Sequence, residues 1–226
     1  VFEERRLTLA QVKAALDADF AGYEDVQALL LHGPKFGNAD PYVDAIVNQV
    51  LSFVSDVTAE TPGFHGARST VAAAAVTANI GLGMCLGATP DGRKAGEPLS
   101  DCLGPVHTAR ASHDRSGPTA IAKSVAKLDH TRFGNGMILN WKFSPGAVSG
   151  DVGRECLMHL MDVYFADLGM ESQFSIIGRE TMLDAQKHPE QYQDLLVRIA
   201  GYSAYFVSLS REVQDDLIGR TELSFD

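Results

Sequence analysis

The N-terminal part of the chain alternates apolar and polar positions with the period of amphipathic helices. This pattern predicts a helix over residues 8–20, with Thr8 available as its N-cap, and a second helix over 25–31. Turn-forming residues cluster at 32–40, and Pro41 then suits the first position of a third helix. The apolar positions that define the first and third helices are Leu9, Val12, Leu16, Phe20, Val43, Ile46, Val47, Val50, Leu51 and Val54.

The middle of the chain changes from periodic to turn-rich sequence. Residues 61–70 have the composition of a loop, whereas 71–84 are rich in Ala, Val and Gly, which predicts a closely packed, buried segment. Residues 87–98 are dominated by Gly, Pro, Asp and Thr. So many turn formers within one chain indicate a long loop of defined shape.

The C-terminal half alternates strand and helix patterns. Strands are predicted at 137–143, 173–177 and 195–199, and helices at 119–128, 151–168 and 180–187. This alternation predicts an α/β fold with parallel strands. We treat the chain as one structural unit, with a helical scaffold and loop region at 1–106 and a strand and helix region at 107–226.

Composition and charge exclude several functional classes. The net charge of −10 and the absence of clustered Lys and Arg argue against a nucleic-acid partner. No apolar run is long enough for a membrane span, and the N-terminus has no signal-peptide core, so we expect a cytoplasmic protein with no membrane partner. The chain opens on Val1 directly before a helical pattern, which suggests a cut in a longer polypeptide.

Cysteines and histidines suggest no metal site. The three cysteines fit neither a zinc motif nor a disulfide framework; we expect Cys85 and Cys156 to be small core residues and leave Cys102 open. The spacing of the histidines with nearby aspartates does not place two ligands on one helical face, so surface or loop histidines are favoured. The residues considered for this site are His107, His113, Asp114, Asp129 and His130.

The most specific pattern lies in the C-terminal block 196–209, which reads Leu-Val-Arg-Ile-Ala-Gly-Tyr-Ser-Ala-Tyr-Phe-Val-Ser-Leu. It resembles the signature of the glycyl radical enzyme family, with Ile199 in place of the usual Val. The match continues through Gln214, Asp215, Ile218, Arg220 and Thr221. Further blocks similar to that family are spread along the chain, at 35–44, 88–101, 117–120, 124–129 and 135–143.

The resemblance implies a fold and a chemistry. It implies the C-terminal half of a ten-stranded α/β barrel with flanking helices, and a radical stored on Gly201. An iron-sulfur activating enzyme that uses S-adenosylmethionine would install this oxygen-sensitive radical, with no cofactor bound to the chain itself. The alternative for Gly201 is purely structural: a chain reversal that needs positive φ.

The resemblance also implies roles for other residues. Arg198 and Tyr202 would position the glycine loop and contribute to the surface that the activating enzyme binds, and Gln214, Arg220 and Thr221 would anchor the tail. Alternation along the strand at 137–143 places Asn140 and Lys142 on one face and Trp141 and Phe143 on the other. We therefore consider Asn140, Lys142 and Phe143 as a substrate pocket. Lys142 would bind a carboxylate or sulfonate, although a solvated or salt-bridged surface lysine is the more common outcome.

The expected function is that of a radical lyase, dehydratase or decarboxylase fragment acting on a small organic molecule. The catalytic cysteine must lie outside the chain, because no cysteine here is followed by Glu two residues later, as the family's Cys-x-Glu loop requires. Two alternatives are a radical-domain partner that complements another chain and a hydrocarbon-succinate synthase-type addition enzyme. The missing N-terminal half-barrel and a homodimer of the complete protein are further expected partners. Departures at 107–114 and 171–175 leave the subfamily open.

Overall fold

The computed structural model describes residues 1–74, 76–106 and 113–225. Within these ranges the α-helices are α1 Leu9–Asp17, α2 Glu24–His32, α3 Pro41–Glu60, α4 Ala78–Met84, α5 Gly117–Ala126, α6 Gly150–Ala166, α7 Arg179–Lys187 and α8 Arg211–Gly219. The strands are β1 Asn140–Lys142, β2 Gln173–Ser175, β3 Leu196–Arg198 and β4 Ser203–Tyr205. This mixture of helices and strands confirms the α/β class.

Helix ends in the N-terminal part follow local sequence chemistry. Thr8 caps α1 through a reciprocal capping box with Gln11, as predicted. Helix α1 ends at Asp17, earlier than predicted, because Asp19 and Phe20 adopt positive φ and turn the chain so that Phe20 is buried. Helix α3 begins at Pro41, where the Asp40 carboxylate accepts a hydrogen bond from the Tyr42 N–H at 3.0 Å.

A short parallel sheet lies at the centre of the C-terminal half. Strands β1 and β2 pair in parallel, with Trp141 opposite Phe174, and a further parallel bridge joins Phe143 to Leu223. The aromatic rings of Trp141, Phe143 and Phe174 stack against one another on one face of this sheet. Parallel pairing is therefore confirmed for these two strands, and their apolar face forms the main core with α5 and α6.

The prediction of parallel pairing is wrong for the strand at 195–199. Strand β3 pairs antiparallel with β4, so the chain reverses within a tight hairpin rather than crossing over a helix. This hairpin packs with α7 and α8 around a second, smaller core. The buried residues of that core are Met182, Ala185, Val197, Ile199, Phe206, Leu217 and Ile218.

The prediction of a buried segment at 71–84 is also wrong in large part. One face of α4 packs closely: a Cβ on Gly83 would lie 2.3 Å from the Glu97 carbonyl oxygen, and the Asn79 carbonyl accepts from the Leu99 N–H. The opposite face presents Leu82 and Met84 to solvent. The small residues thus serve close packing on one side only. Within the described ranges, no helix is both long and apolar enough to span a membrane.

One of the three cysteines is exposed, and the other two, Cys102 and Cys156, are half-buried. Cys85 is exposed, which contradicts its expected core position, because it follows the solvent-facing end of α4. Cys156 is half-buried on α6. The Cys102 thiol accepts a hydrogen bond from the Gly104 N–H at 3.2 Å, and its burial raises the pKa of the thiol well above the ordinary value.

We expect thiol reagents to distinguish these cysteines. In this chain, Cys85 should react with iodoacetamide at neutral pH well before Cys102, because alkylation requires an accessible thiolate. Peptide mapping by mass spectrometry after a short exposure measures this directly. Equal labelling of both cysteines in folded protein would contradict the described environment of Cys102.

Candidate active site

Gly201 lies in the four-residue loop, residues 199–202, that joins β3 to β4. Its φ is +79°, a conformation that glycine adopts without strain and other residues avoid. The preceding residues Ile199 and Ala200 are buried, whereas Gly201 itself is exposed in this chain. The Ile199 N–H donates to the Tyr202 carbonyl at 3.0 Å and closes the loop. The structural expectation of a chain reversal with positive φ is therefore met at the proposed radical site.

The side chain of Gln173 contacts this loop from strand β2. Its Oε1 accepts a hydrogen bond from the Gly201 N–H at 2.6 Å and another from Arg198 Nε at 3.1 Å. Its Nε2 donates to Glu171 Oε1 at 2.5 Å. The sequence analysis gave Gln173 no role, since nothing in the local sequence indicates which backbone group it binds.

Arg220 holds the other side of the loop. Its Nη1 donates to the Ile199 carbonyl at 3.1 Å and lies 2.9 Å from Asp101 Oδ2, while its Nη2 lies 2.8 Å from Asp216 Oδ2. All three ionised side chains are buried. Burial disfavours the charge, but the two carboxylates more than compensate and raise the pKa of Arg220. Arg220 thus connects the glycine loop to α8 and to Asp101, in the segment that follows the Pro-Asp-Gly-Arg loop at 90–93.

Lys142 lies below the same loop but points at backbone carbonyls. Its Nζ is 3.0 Å from the Arg220 carbonyl, 3.1 Å from the Leu217 carbonyl and 3.4 Å from the Ile218 carbonyl, at the C-terminal end of α8. Glu222 lies 3.5 Å away. The favoured expectation was a solvated or salt-bridged surface lysine; the ion pair is present, with Glu222, but the surface position is wrong, because the tail folds over strand β1 and buries the side chain. The ammonium group instead compensates the negative end of the helix dipole.

The other two predicted pocket residues, Asn140 and Phe143, point to opposite faces of the sheet, as alternation predicts. Asn140 lies on the Lys142 face, and its Nδ2 donates to Asp101 Oδ2 at 2.8 Å. Phe143 is buried on the other face, in the aromatic core, and stacks on Phe225. The cleft on the Asn140 face is also bordered by Arg198 and Arg220, and it holds no more than about one water molecule in this chain. The structure therefore brings Asn140 and Lys142 together but not Phe143.

The pKa of Lys142 gives a prediction for the pH dependence of stability. Burial lowers this pKa from 10.5 to about 8, against the opposing effect of Glu222. Between these values the unfolded state binds more protons, so stability should rise with pH from about 8 towards 10. We expect the difference in unfolding free energy between wild type and Lys142→Met to shift towards wild type by about 2 kcal/mol across this window. Urea denaturation at several pH values measures it, and a flat difference would contradict the lowered pKa.

The other predicted support residues anchor the tail. Gln214 Nε2 donates to the carbonyls of Phe206 and Leu209 at 3.0 and 3.1 Å, which joins α8 to the turn after β4. Thr221 Oγ1 donates to Asp114 Oδ1 at 3.1 Å. Tyr202 is exposed beside Gly201. These contacts are those of an anchored tail that carries an accessible glycine loop.

The Pro-Asp-Gly-Arg loop is held by its own arginine. Arg93 is fully buried, and its guanidinium group donates to the carbonyls of Leu86, Gly87 and Glu97. Neither this role nor the contribution of Asp101 and Asp216 to the Arg220 cluster was predicted. The only local signal for them is the combination of charged residues with a loop whose Gly and Pro content favours a fixed shape.

The candidate histidines that the structure describes are not surface groups. His113 and His130 are both buried, so surface positions are wrong for them, although His113 does lie in a loop. Burial lowers the pKa of His113 to about 4. Asp129 instead accepts from Thr131 Oγ1 at 2.5 Å, and Asp114 binds the tail. His107 lies outside the described residues. Within the described part of the chain, no three His, Cys, Asp or Glu side chains form a group that could hold a metal ion.

The chain matches known protein families and relatives over most of its length. A family model described as "Glycine radical" matches residues 104–207, and one described as "Pyruvate formate lyase-like" matches residues 1–83. The chain is 41% identical over its whole length to (2S)-3-sulfopropanediol dehydratase of Klebsiella oxytoca, of which it covers 28%. It is 41% identical over 98% of its length to isethionate sulfite-lyase of Desulfovibrio desulfuricans, of which it covers 27%.

A solved structure agrees with these matches. The glycerol-bound form of the B12-independent glycerol dehydratase from Clostridium butyricum superposes on the whole chain with a TM-score of 0.94 and 41% identity, over 28% of that protein. The chain belongs to the glycyl radical enzyme family and corresponds to the C-terminal part of its members. It spans little more than a quarter of the length of the relatives it matches.

Proposed function

We propose that this chain stores an organic radical on the α-carbon of Gly201. The observation that carries the proposal is the position of Gly201 in a hairpin loop fixed on both sides, by Gln173 at its N–H and by Arg220 at the Ile199 carbonyl. A glycine α-carbon lies between an amide nitrogen and a carbonyl, so an unpaired electron there delocalises in both directions. A side chain would crowd that carbon and oppose planarity.

The radical would be passed to a cysteine that lies outside these residues. Cys85, Cys102 and Cys156 all lack the Cys-x-Glu pattern, and the thiol of Cys102 is buried and resists ionisation. Radical transfer moves a hydrogen atom from the cysteine thiol to the glycine, which leaves a thiyl radical to attack substrate. This chain by itself is therefore not expected to turn over substrate.

The parallel sheet is proposed to belong to half of a ten-stranded barrel. Parallel pairing of β1 with β2, and the parallel bridges of Ala73 with Met137 and of Phe143 with Leu223, support this. The remaining half would cover Gly201, whose exposure here would leave a radical open to oxygen. An iron-sulfur activating enzyme that uses S-adenosylmethionine is the proposed partner, with Arg198 and Tyr202 forming part of the surface that it recognises. A homodimer of the complete protein stays a prediction.

For substrate class we propose a small organic molecule cleaved at a C–O, C–S, C–N or C–C bond. Relatives of equal identity include a sulfopropanediol dehydratase and an isethionate sulfite-lyase, so the bond cleaved is not common to them. The alternative of a small partner that only donates a radical domain is less well supported. The match of residues 1–83 to the second family model lies outside the glycine radical domain, and such a partner would not need it.

Electron paramagnetic resonance tests the proposal. The full-length protein, meaning the polypeptide that carries this chain at the length of its relatives, is incubated anaerobically with its activating enzyme, S-adenosylmethionine and a reductant. We expect a signal split by the single remaining α-hydrogen. The absence of any glycyl signal under conditions that activate a relative in parallel would reject the function.

A further inference from the structure

We propose that Gln173 is a positioning residue for the radical site, one that fixes the orientation of the Ala200–Gly201 peptide. The inference rests on the proposed function of Gly201. It assigns a role to a side chain that lies outside the glycine loop in sequence and on a different sheet.

The hydrogen bonds of Gln173 leave its amide a single orientation. Its Nε2 donates to the Glu171 carboxylate, so Oε1 is the atom that faces Gly201 and Arg198. A flipped amide would place its NH₂ against two donors and its oxygen against a carboxylate, which removes all three hydrogen bonds. The hydrogen bonds with Arg198 and Glu171 thus make Gln173 Oε1 the atom that accepts from the Gly201 N–H.

Gln173 is also held rigidly by the sheet. Its backbone pairs in parallel with Asn140, its N–H donates to the Leu139 carbonyl at 2.9 Å, and its side chain is buried. A residue fixed at both its backbone and its terminal amide has little rotamer freedom. One hydrogen bond of 2.6 Å, from the Gly201 N–H to Gln173 Oε1, therefore fixes the position of the glycine loop relative to the central parallel sheet.

The turn geometry shows what this hydrogen bond controls. Ala200 and Gly201 are the two central residues of the loop at 199–202, and φ is positive at Gly201 but not at Ala200. This order of signs is that of a type II turn, and rotation of the central peptide plane converts it to type I, in which both φ values are negative. The N–H of that central peptide is the group bound by Gln173. Loss of the acceptor would therefore release the peptide to rotate and change φ at Gly201.

The same contact should influence the radical electronically. Delocalisation onto the Gly201 nitrogen makes its N–H a better donor, and an acceptor at 2.6 Å favours that distribution of spin. We therefore expect Gln173 to affect the spin density on this nitrogen as well as the position of the loop. A residue with only a structural role would leave the nitrogen coupling unchanged.

The test uses the full-length protein and two measurements. Hydrogen–deuterium exchange of the unactivated protein, in a peptide containing Gly201, should be about fivefold faster in Gln173→Met, as expected for one lost hydrogen bond. After activation of ¹⁵N-glycine-labelled protein, the ¹⁵N hyperfine coupling of the radical should change in the same variant. Gln193→Met is the matched control, because Gln193 is an exposed glutamine whose Nε2 binds only the Pro189 carbonyl at 2.9 Å among the described contacts.

A swap of the two side chains provides the decisive comparison. Glu171→Gln combined with Gln173→Glu keeps an oxygen acceptor towards Gly201 and a donor beside it, so the exchange rate should return to the wild-type value and the ¹⁵N coupling should move back from that of Gln173→Met. Should Gln173→Met not fold, Gln173→Asn replaces it, because the shorter amide cannot reach the Gly201 N–H. Wild-type exchange and coupling in the Met or Asn variant, or failure of the swap to move them back, would overturn the inference. A wild-type protein with no radical signal rejects the proposed function instead, and the exchange measurement still decides the role of Gln173.

Discussion

Replacement of Gly201 by alanine should abolish the glycyl radical while leaving the protein folded. An alanine at φ +79° costs about 1–2 kcal/mol in backbone strain. Its Cβ would meet only Ile138 Cδ1, at an ordinary contact distance of 3.7 Å, so the fold has room for it. In the variant, the alanine side chain crowds the α-carbon and opposes the planar geometry that the radical needs. We therefore expect a folded protein whose free energy of unfolding, measured by urea denaturation, is lowered by about 1–2 kcal/mol and which gives no electron paramagnetic resonance signal.

A second glycine provides the matched control. Gly96 has φ +78° and is exposed, and a Cβ at this position would meet no atom within 4 Å, so Gly96→Ala introduces the same strain away from the hairpin. It should lose similar stability and keep the full radical signal. The structural alternative for Gly201 predicts instead that the two variants behave alike in both measurements. A radical signal retained in Gly201→Ala would place the unpaired electron on another residue.

Features that depend on neighbouring residues were predictable from the sequence. The capping box at Thr8 and the start of α3 at Pro41 follow from groups a few residues apart, and both the cap and the helix start were predicted. The β1–β2 pairing also agrees with prediction, since strands separated by a helix usually pair in parallel. Local chemistry and alternation thus determine where most elements begin and which face of β1 is apolar.

The β3–β4 hairpin was missed because its turn lacks the usual sequence signal. Tight hairpin turns favour Asn-Gly or Asp-Gly at their two central positions, whereas the centre of this turn is Ala200-Gly201, with positive φ at its second position only. The side-chain hydrogen bonds from Gln173 and Arg220 compensate for a turn that is not intrinsically favoured. A glycine suited to radical chemistry thus occupies a loop that local propensity does not predict.

Long-range partners were the other unpredictable feature. Lys142 was considered for a ligand or for solvent, yet it binds carbonyls 75 to 78 residues away. Its sequence neighbours contain no trace of those acceptors, because they appear only when the tail folds over β1. Gln173 and Asp101 were overlooked for the same reason. Residue type indicated a polar cluster near this strand, and only the fold assigns each group its partner.

The Arg220 cluster should be the most sensitive structural element of the site. Arg220→Met leaves the buried carboxylates of Asp101 and Asp216 without their shared cation, and it frees the Ile199 carbonyl. Removing one member of a buried ion cluster costs about 3–5 kcal/mol. We expect a loss of this size in the free energy of unfolding, measured by urea denaturation of the full-length protein, together with a reduced yield of radical after activation.

An exposed arginine on the same helix separates this effect from a general loss of charge. Arg211 pairs with Asp215 at the surface of α8, so Arg211→Met should cost no more than about 0.5 kcal/mol. Neutralising both carboxylates alongside Arg220→Met, with Asp101→Asn and Asp216→Asn, should recover stability, because no buried charge is then left uncompensated. The radical yield should stay low in that triple variant, since the Arg220 donor to the Ile199 carbonyl is still missing. The triple variant would thus show that Arg220 affects stability and radical positioning by different contacts. Recovery of both the unfolding free energy and the radical yield would show instead that Arg220 acts on the radical only through the fold.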